Sequence, residues 1–248
     1  MRPDPATALA PQSVPVREAA TVALVRDAPV GGGLEVFLQH RVSTMQFAAG
    51  MSVFPGGGVE PRDYLGARPW RGPEPQWWAE RFGVGADRAA AAVRGVVREL
   101  FEETGVLLAE PEPASTDPLG SAVPPGTAER RSLDAGEGDL DSLLAAHGLI
   151  LSAHLLRPWD RWTTPVGPPR RYDTLFFVAA LPPGAEADGG TSEARAAEWM
   201  RADDAAAAGT LGRLGMLRPT LDVLADLAAA ADVADLLDTP RAIAPGGR

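Results

Sequence analysis

The chain of 248 residues contains no cysteine, which excludes disulfides, zinc–thiolate sites and thiol catalysis. Its three histidines, His40, His147 and His154, stand far apart in the sequence, so each reads as structural and an imidazole-based metal cluster is not expected. A hard-metal site would have to come from carboxylates, a chemistry suited to Mg²⁺ or Mn²⁺. Positive charge is in deficit: 23 Lys and Arg against 33 Asp and Glu give a formal net charge of −10. That balance argues against general binding to nucleic acid or to an anionic membrane. No apolar run approaches the roughly 18–20 residues needed to span a bilayer. MRPDPATALAPQSVPV lacks the continuous apolar stretch of a signal peptide, and IAPGGR carries no recognisable lipidation or retention signal. A soluble cytoplasmic protein is the expectation. An acidic chain can still take phosphates if it supplies a metal or a local arginine cluster.

The length suffices for a full core, as one elaborated domain or two small ones. With 27 Gly and 24 Pro, long irregular connections are expected. Residues 1–17 read as a flexible lead-in. Strand-like segments follow at Ala19–Val25, Leu34–Arg41 and Met51–Phe54, the last running into Pro55-Gly56-Gly57-Gly58. Residues 64–88 form an insertion rich in Pro, Gly and Trp. Residues 88–104 carry the strongest helical signal, with Val93, Val97 and Leu100 at helical spacing and Gly105 placed to end the helix. A strand is expected over Val106–Ala109, a long surface loop over 110–136 and a short helix over 139–147. Further strands are expected at Leu149–Trp159, Tyr172–Leu181 and Ala196–Met200. Helices near 202–208, 217–230 and 231–237 would close the chain. This order, without regular βαβ alternation, favours a mixed sheet with helices packed on it.

The chemistry concentrates in Arg98-Glu99-Leu100-Phe101-Glu102-Glu103-Thr104-Gly105-Val106. At about 100° per helical residue, Glu99, Glu102 and Glu103 share one face. Carboxylates that close repel one another unless a cation sits among them. Leu100 points away as an anchor, and Arg98 can pair with a carboxylate and orient it. Alone, the segment also reads as a solvated acidic helix face, because Glu is a common surface helix former. Upstream stands Phe54-Pro55-Gly56-Gly57-Gly58-Val59-Glu60-Pro61-Arg62-Asp63. A Gly-rich turn leaving a strand lets the backbone approach a metal or phosphate closely, although any tight loop can look this way.

Together the two segments resemble the Nudix box, G-x5-E-x7-R-E-U-x-E-E-x-G-U, where U is aliphatic. The second half matches from Arg98 to Val106; Gly57 takes the Gly position, and Asp63 stands where the family has Glu. Residues 64–97 occupy 34 positions where the family has seven. This resembles the branch that carries an insertion inside the box, the peroxisomal coenzyme A diphosphatases and their bacterial relatives. Residues 41–57 follow the spacing of that branch's coenzyme A signature, R-S-x3-R-x3-G-x3-F-P-G-G. Arg41, Gly50 and Phe54-Pro55-Gly56-Gly57 fit it, while Val42 and Gln46 replace its Ser and second Arg. Trp162-Thr163-Thr164-Pro165, Arg171-Tyr172-Asp173-Thr174 and Phe176-Phe177 also look like that branch.

The resemblance implies an α/β/α sandwich with a mixed sheet over residues 18–209, the insertion at 64–88, and a C-terminal helical extension and tail over 210–248. It implies Mg²⁺ or Mn²⁺ held by Glu99, Glu102 and Glu103 with the Gly57 carbonyl, and Arg98 orienting Glu99. The general base in such proteins often comes from a later loop, which makes Glu193 the first choice and Glu198 the second. Arg41, Arg170 and Arg171, with Gly56 and Gly57, are the expected substrate-binding residues. Trp70, Trp77 and Trp78 either cover the substrate as a lid or pack the insertion onto the domain. The implied partner is a small nucleotide-type substrate, coenzyme A or acyl-coenzyme A, cleaved to 3′,5′-ADP and a 4′-phosphopantetheine product. ADP-ribose, a dinucleotide or a nucleoside triphosphate is the enzymatic alternative, and a non-catalytic binding domain is the alternative of another class. Neither nucleic acid nor membrane is an expected partner, and pairing of two copies as a homodimer is left open.

Overall fold

A computed structural model describes residues 14–42, 48–112, 125–190, 194–239 and 241–244. The chain opens with β1 (Val16–Asp27), β2 (Leu34–Arg41), β3 (Ser52–Val53) and β4 (Gly56–Gly58). Three helices follow: α1 (Pro61–Leu65), α2 (Pro75–Phe82) and the 19-residue α3 (Ala86–Thr104). Next come β5 (Ala109–Pro111), α4 (Thr127–Asp134), α5 (Leu140–Ala146) and β6 (Leu149–Leu151). β7 (Leu156–Thr163), β8 (Arg171–Ala180) and β9 (Ala194–Arg201) complete the strands, and α6 (Ala202–Thr210), α7 (Arg218–Ala228) and α8 (Val233–Asp238) close the fold.

Seven strands form one mixed sheet in which β1 and β8 run parallel and the other pairings are antiparallel. β4 pairs with the first half of β1, through Ala20 and Gly57, while β2 pairs with its second half, through Val25 and Val36. β2 thus diverges from β1, and the β3–β4 segment fills the gap. β9 pairs with the other side of β2. Strand alternation separates two cores. Ala20, Val22 and Leu24 of β1 pack with α2, α3 and α5 on one face. Ala23 and Val25 pack with α6, α7 and α8 on the other. Burial on both faces explains why β1 reads as a nearly continuous apolar run. The sandwich of helices, mixed sheet and helices follows from these two cores.

Two local expectations are corrected. The stretch 110–136 is not all loop: it contains β5 and α4, whose helical pattern is short and largely polar. The strand expected at Val106–Ala109 begins only at Ala109 and pairs with β6 in a separate two-stranded sheet. The insertion contains α2, started by Pro75 and ended by Gly83 in a left-handed conformation (φ 63°) whose N–H bonds to the Ala79 carbonyl.

The insertion is anchored into the core. Trp78 is fully buried, its ring 5.7 Å from Phe177, and Phe82 lies edge-on to Phe177 at 5.0 Å. Burying an indole of this size stabilises the docking by on the order of 5 kcal/mol. Arg161 donates to the carbonyls of Phe82 (3.1 Å) and Gly83 (2.8 Å) at the end of α2 and also bridges Asp173 at 2.7 Å. Arg88 at the start of α3 meets the same carboxylate at 2.9 Å. Trp77 lies edge-on to Trp78 with Arg81 over its ring, and Trp70 lies beneath Arg94. The tryptophans therefore serve packing; Trp78 is no lid.

Candidate active site

The Gly-rich β4 and the C-terminal half of α3 meet face to face. Gly57 has no Cβ, and one built there would lie 2.6 Å from Glu99 Oε1. Glycine is what allows the Glu99 carboxylate to rest against the strand backbone. One residue earlier, the Gly56 N–H donates to Glu103 Oε2 at 2.8 Å. Gly56 has φ 146°, and an added Cβ would fall 2.4 Å from the Ala20 carbonyl oxygen, so this position too requires glycine.

Arg98 is buried and organises the rest. Its Nε and Nη2 grip Asp63 at 2.9 and 3.0 Å, and Nη2 also donates to the Gly58 carbonyl at 3.1 Å. Its Nη1 reaches Glu99 at 2.9 Å and Glu102 at 2.7 Å. One guanidinium thus locks the Gly turn to the acidic helix face through five charge-assisted bonds. Arg62 adds a second cation, 3.2 Å from Glu102, and bonds to Glu60, to the Leu133 carbonyl and to the Gly138 carbonyl. Glu102 and Glu103 are buried, and the Glu99 side chain keeps 14% of its surface.

Burial pushes the Glu99 carboxyl up to about 7, against the opposing pull of Arg98. Burial also raises Glu102, although Arg98 and Arg62 both act to lower it. For Arg98 itself burial opposes the charge, yet the hydrogen bond to Asp63 and the charges of Glu99, Asp63 and Glu102 outweigh it, so its pKa is raised. Both carboxyls are thus held above their ordinary range chiefly by burial, which the adjacent arginines only partly offset.

Among the described residues, no three acidic or imidazole side chains already converge as an ion cage. Arg98 and Arg62 draw Glu102 aside, and the Gly56 amide holds Glu103. The donor set still fits a hard divalent cation: it is all oxygen, four carboxylates (Asp63, Glu99, Glu102 and Glu103) share two guanidiniums (Arg62 and Arg98), and the missing Gly57 Cβ brings the Glu99 carboxylate against the strand backbone.

Other expected site residues fall as follows. Arg41 ends β2, its N–H bonded to the Met51 carbonyl on the segment leading into the Gly turn. Arg171 pairs with Val16, four residues before the β1 position opposite Gly57, about 13 Å along the strand. Its Nε donates to the carbonyls of Thr164 and Pro165, closing the β7–β8 turn, and Arg170 precedes it in that turn. The structure does not bring these two arginines to the glutamates. Glu193 lies outside the described residues, as does Gln46. Glu198 sits opposite Leu38, which faces the α6–α8 core, and bonds to His40 Nε2 at 2.8 Å while Ser52 meets Nδ1 at 2.8 Å. Glu198 is therefore on the face away from α3.

Asp63, Arg62 and Arg130 are site residues absent from the sequence-based set. Asp63 had a signal, its place six residues after Gly57. Arg130 had none: from α4 its Nε donates to the Glu102 carbonyl at 2.9 Å, capping the last turn of α3, and its Nη1 binds Asp188 at 2.8 Å.

No family model matches the chain. Acyl-coenzyme A diphosphatase NUDT19 of Homo sapiens is 31% identical over 198 residues, covering 62% of this chain and 49% of that protein. The Gallus gallus protein of the same name is 28% identical over 208 residues, covering 66% of this chain and 55% of that protein. The chain spans about half the length of these curated relatives. A crystal structure of a Nudix hydrolase from Alicyclobacillus acidocaldarius superposes with a TM-score of 0.73 at 29% identity, covering 92% of this chain and 98% of that one. With the glycine turn, the Arg98 clamp and the three-glutamate helix face in one arrangement, these likenesses place the chain in the Nudix hydrolase superfamily.

Proposed function

We propose that the protein is a Mg²⁺- or Mn²⁺-dependent diphosphatase acting on coenzyme A or acyl-coenzyme A, releasing 3′,5′-ADP and a 4′-phosphopantetheine product. The observation that carries the chemistry is the Glu99 carboxylate seated against Gly57 and fixed by Arg98. The likeness to proteins named acyl-coenzyme A diphosphatase supports the substrate. Glu99, Glu102 and Glu103, with the Gly57 carbonyl, would hold the ion. When bound, a divalent metal offsets diphosphate charge and acidifies a coordinated water.

The chain's own residues supply the positioning. Arg98 ties the glycine turn to α3, so Glu99 and Glu102 share one rigid origin. Asp63 neutralises that guanidinium from the far side and keeps it from competing for substrate phosphate. Arg130 holds the α3 terminus that bears Glu102 and Glu103. Glu193 is the general base we assign, because Glu198 is committed to His40 on the other face.

The test offers the purified protein Mg²⁺ with coenzyme A, acyl-coenzyme A, ADP-ribose, NADH and nucleoside triphosphates. Cleavage of coenzyme A or its thioesters ahead of the rest supports the proposal. ADP-ribose cleaved far ahead of coenzyme A overturns the substrate, and binding without turnover of any compound overturns the enzyme.

A further inference from the structure

Beside the glutamates, on the other side of Arg62, a groove of about 450 Å³ runs between the insertion and α5. Its volume suits a small organic group. Arg62, Leu65, Arg68, Asp139, Asp141 and Ser142 line it. Arg62 is shared with the reaction centre, since its Nη2 lies 3.2 Å from Glu102 Oε1.

The groove's charges are already committed. Arg62 is paired with Glu60 at 2.6 Å as well as with Glu102, and Arg68 with Glu112 at 2.9 Å. Asp141 accepts the Arg68 backbone N–H at 2.9 Å and faces Arg94 at 3.7 Å. Asp139 caps α5 through the N–H and hydroxyl of Ser142, both at 2.8 Å. A phosphate entering the groove would meet two arginines already paired and the carboxylates of Asp139 and Asp141, at a cost in like-charge repulsion. An uncharged chain meets no such penalty. Leu65, 81% exposed at the rim, offers apolar surface to such a chain.

We infer that this groove binds the uncharged, amide-bearing arm of the substrate, the pantetheine chain and the first part of its acyl group, with the diphosphate at the glutamates next door. The inference rests on the proposed function and assigns the part of the substrate that the metal-site residues do not touch. It also gives the insertion a role: through Leu65 and Arg68 it forms one wall.

The two cleavage products separate the halves of the substrate, so product inhibition locates each. Ala145 also lines the groove and is exposed on α5, so Ala145→Trp fills it without disturbing the core. The variant should weaken inhibition by 4′-phosphopantetheine about tenfold or more and raise the acyl-coenzyme A KM similarly, with a much smaller effect on inhibition by 3′,5′-ADP. Equal weakening of both products, or of neither, overturns the inference. Leu65→Asp, at the exposed rim, should reduce the preference for acyl-coenzyme A over coenzyme A severalfold. An unaltered preference counts against the apolar rim. Wild-type protein that cleaves other diphosphates but neither coenzyme A nor its thioesters overturns the proposed function itself. Wild-type turnover of coenzyme A with a silent Ala145→Trp overturns only the groove.

Discussion

Replacing Gly57 by alanine adds one methyl group where β4 meets the acidic face of α3. Gly57 does not have a left-handed φ, so alanine brings no backbone strain there. Its Cβ would stand 2.6 Å from Glu99 Oε1, 2.7 Å from the carboxyl carbon and 2.8 Å from Oε2. Ordinary contact begins near 3.4 Å, so the carboxylate must recede by about 0.8 Å. The end of a flexible side chain can move that far at little cost to folding, and Tm should fall by no more than about 2 °C. A metal ligand tolerates only about 0.2 Å, and misplacement near 1 Å costs on the order of a hundredfold in rate. The expected result is therefore a split. The Mg²⁺ concentration for half-maximal activity rises about 10–100-fold, read from initial rates across a Mg²⁺ titration, while the thermal transition barely moves. Gly56→Ala is the counterpart. Its Cβ would strike the Ala20 carbonyl oxygen at 2.4 Å and the Thr21 Cα at 2.5 Å, with φ at 146°. Backbone cannot retreat as a carboxylate can, so this variant should lose about 3 kcal/mol of stability. Wild-type Mg²⁺ dependence in Gly57→Ala would refute the reasoning, because Glu99 would then have no need of its place against the turn.

Glu102→Gln keeps the side-chain volume and removes a charge shared by Arg98 and Arg62; steady-state activity should fall at least about 100-fold, with the circular dichroism spectrum unchanged. Asp173→Asn removes the common partner of Arg161 and Arg88 and should cost about 3 kcal/mol in urea unfolding, loosening the end of α2. The same group predicts an acid limb. Burial opposes the Asp173 charge, but hydrogen bonds from Arg161 and Arg88 outweigh it and hold the carboxyl at about 2 against 3.8. A depressed carboxyl stabilises the fold above its unfolded pKa, so about 2 kcal/mol is present above pH 4 and is lost as pH falls through 2. Asp173→Asn should flatten that limb in unfolding curves recorded between pH 5 and 2. Trp78→Ala should destabilise by about 3–5 kcal/mol, seen as a lower urea midpoint. A loss under 1 kcal/mol would mean the insertion is not docked as described.

The sequence alone determined the parts that are local. Periodicity and a terminal glycine specified α3 and the shared face of Glu99, Glu102 and Glu103, because both depend only on helical geometry. Apolar runs bounded by turns located β1, β2, β8 and β9 to within a few residues. What lay beyond the sequence was every contact whose partners are distant in the chain. Arg62 reads as loop charge until the fold carries it 40 positions, to Glu102. Arg130 reads as surface until α4 lays it against the carbonyl of the same residue. Arg171 sits in a matching motif, yet strand register carries it away from the glutamates. Trp78 carried no mark of whether it would cover a ligand or fill a core; the gap beside Phe177 decided for the core, since apolar area is buried wherever it fits. The three glutamates were legible as a helix face. The seat of Glu99 against Gly57 and the Arg98 clamp on Glu99 and Glu102 came only when the fold packed the 34 residues between Asp63 and Arg98, α2 and most of α3 among them, into the core.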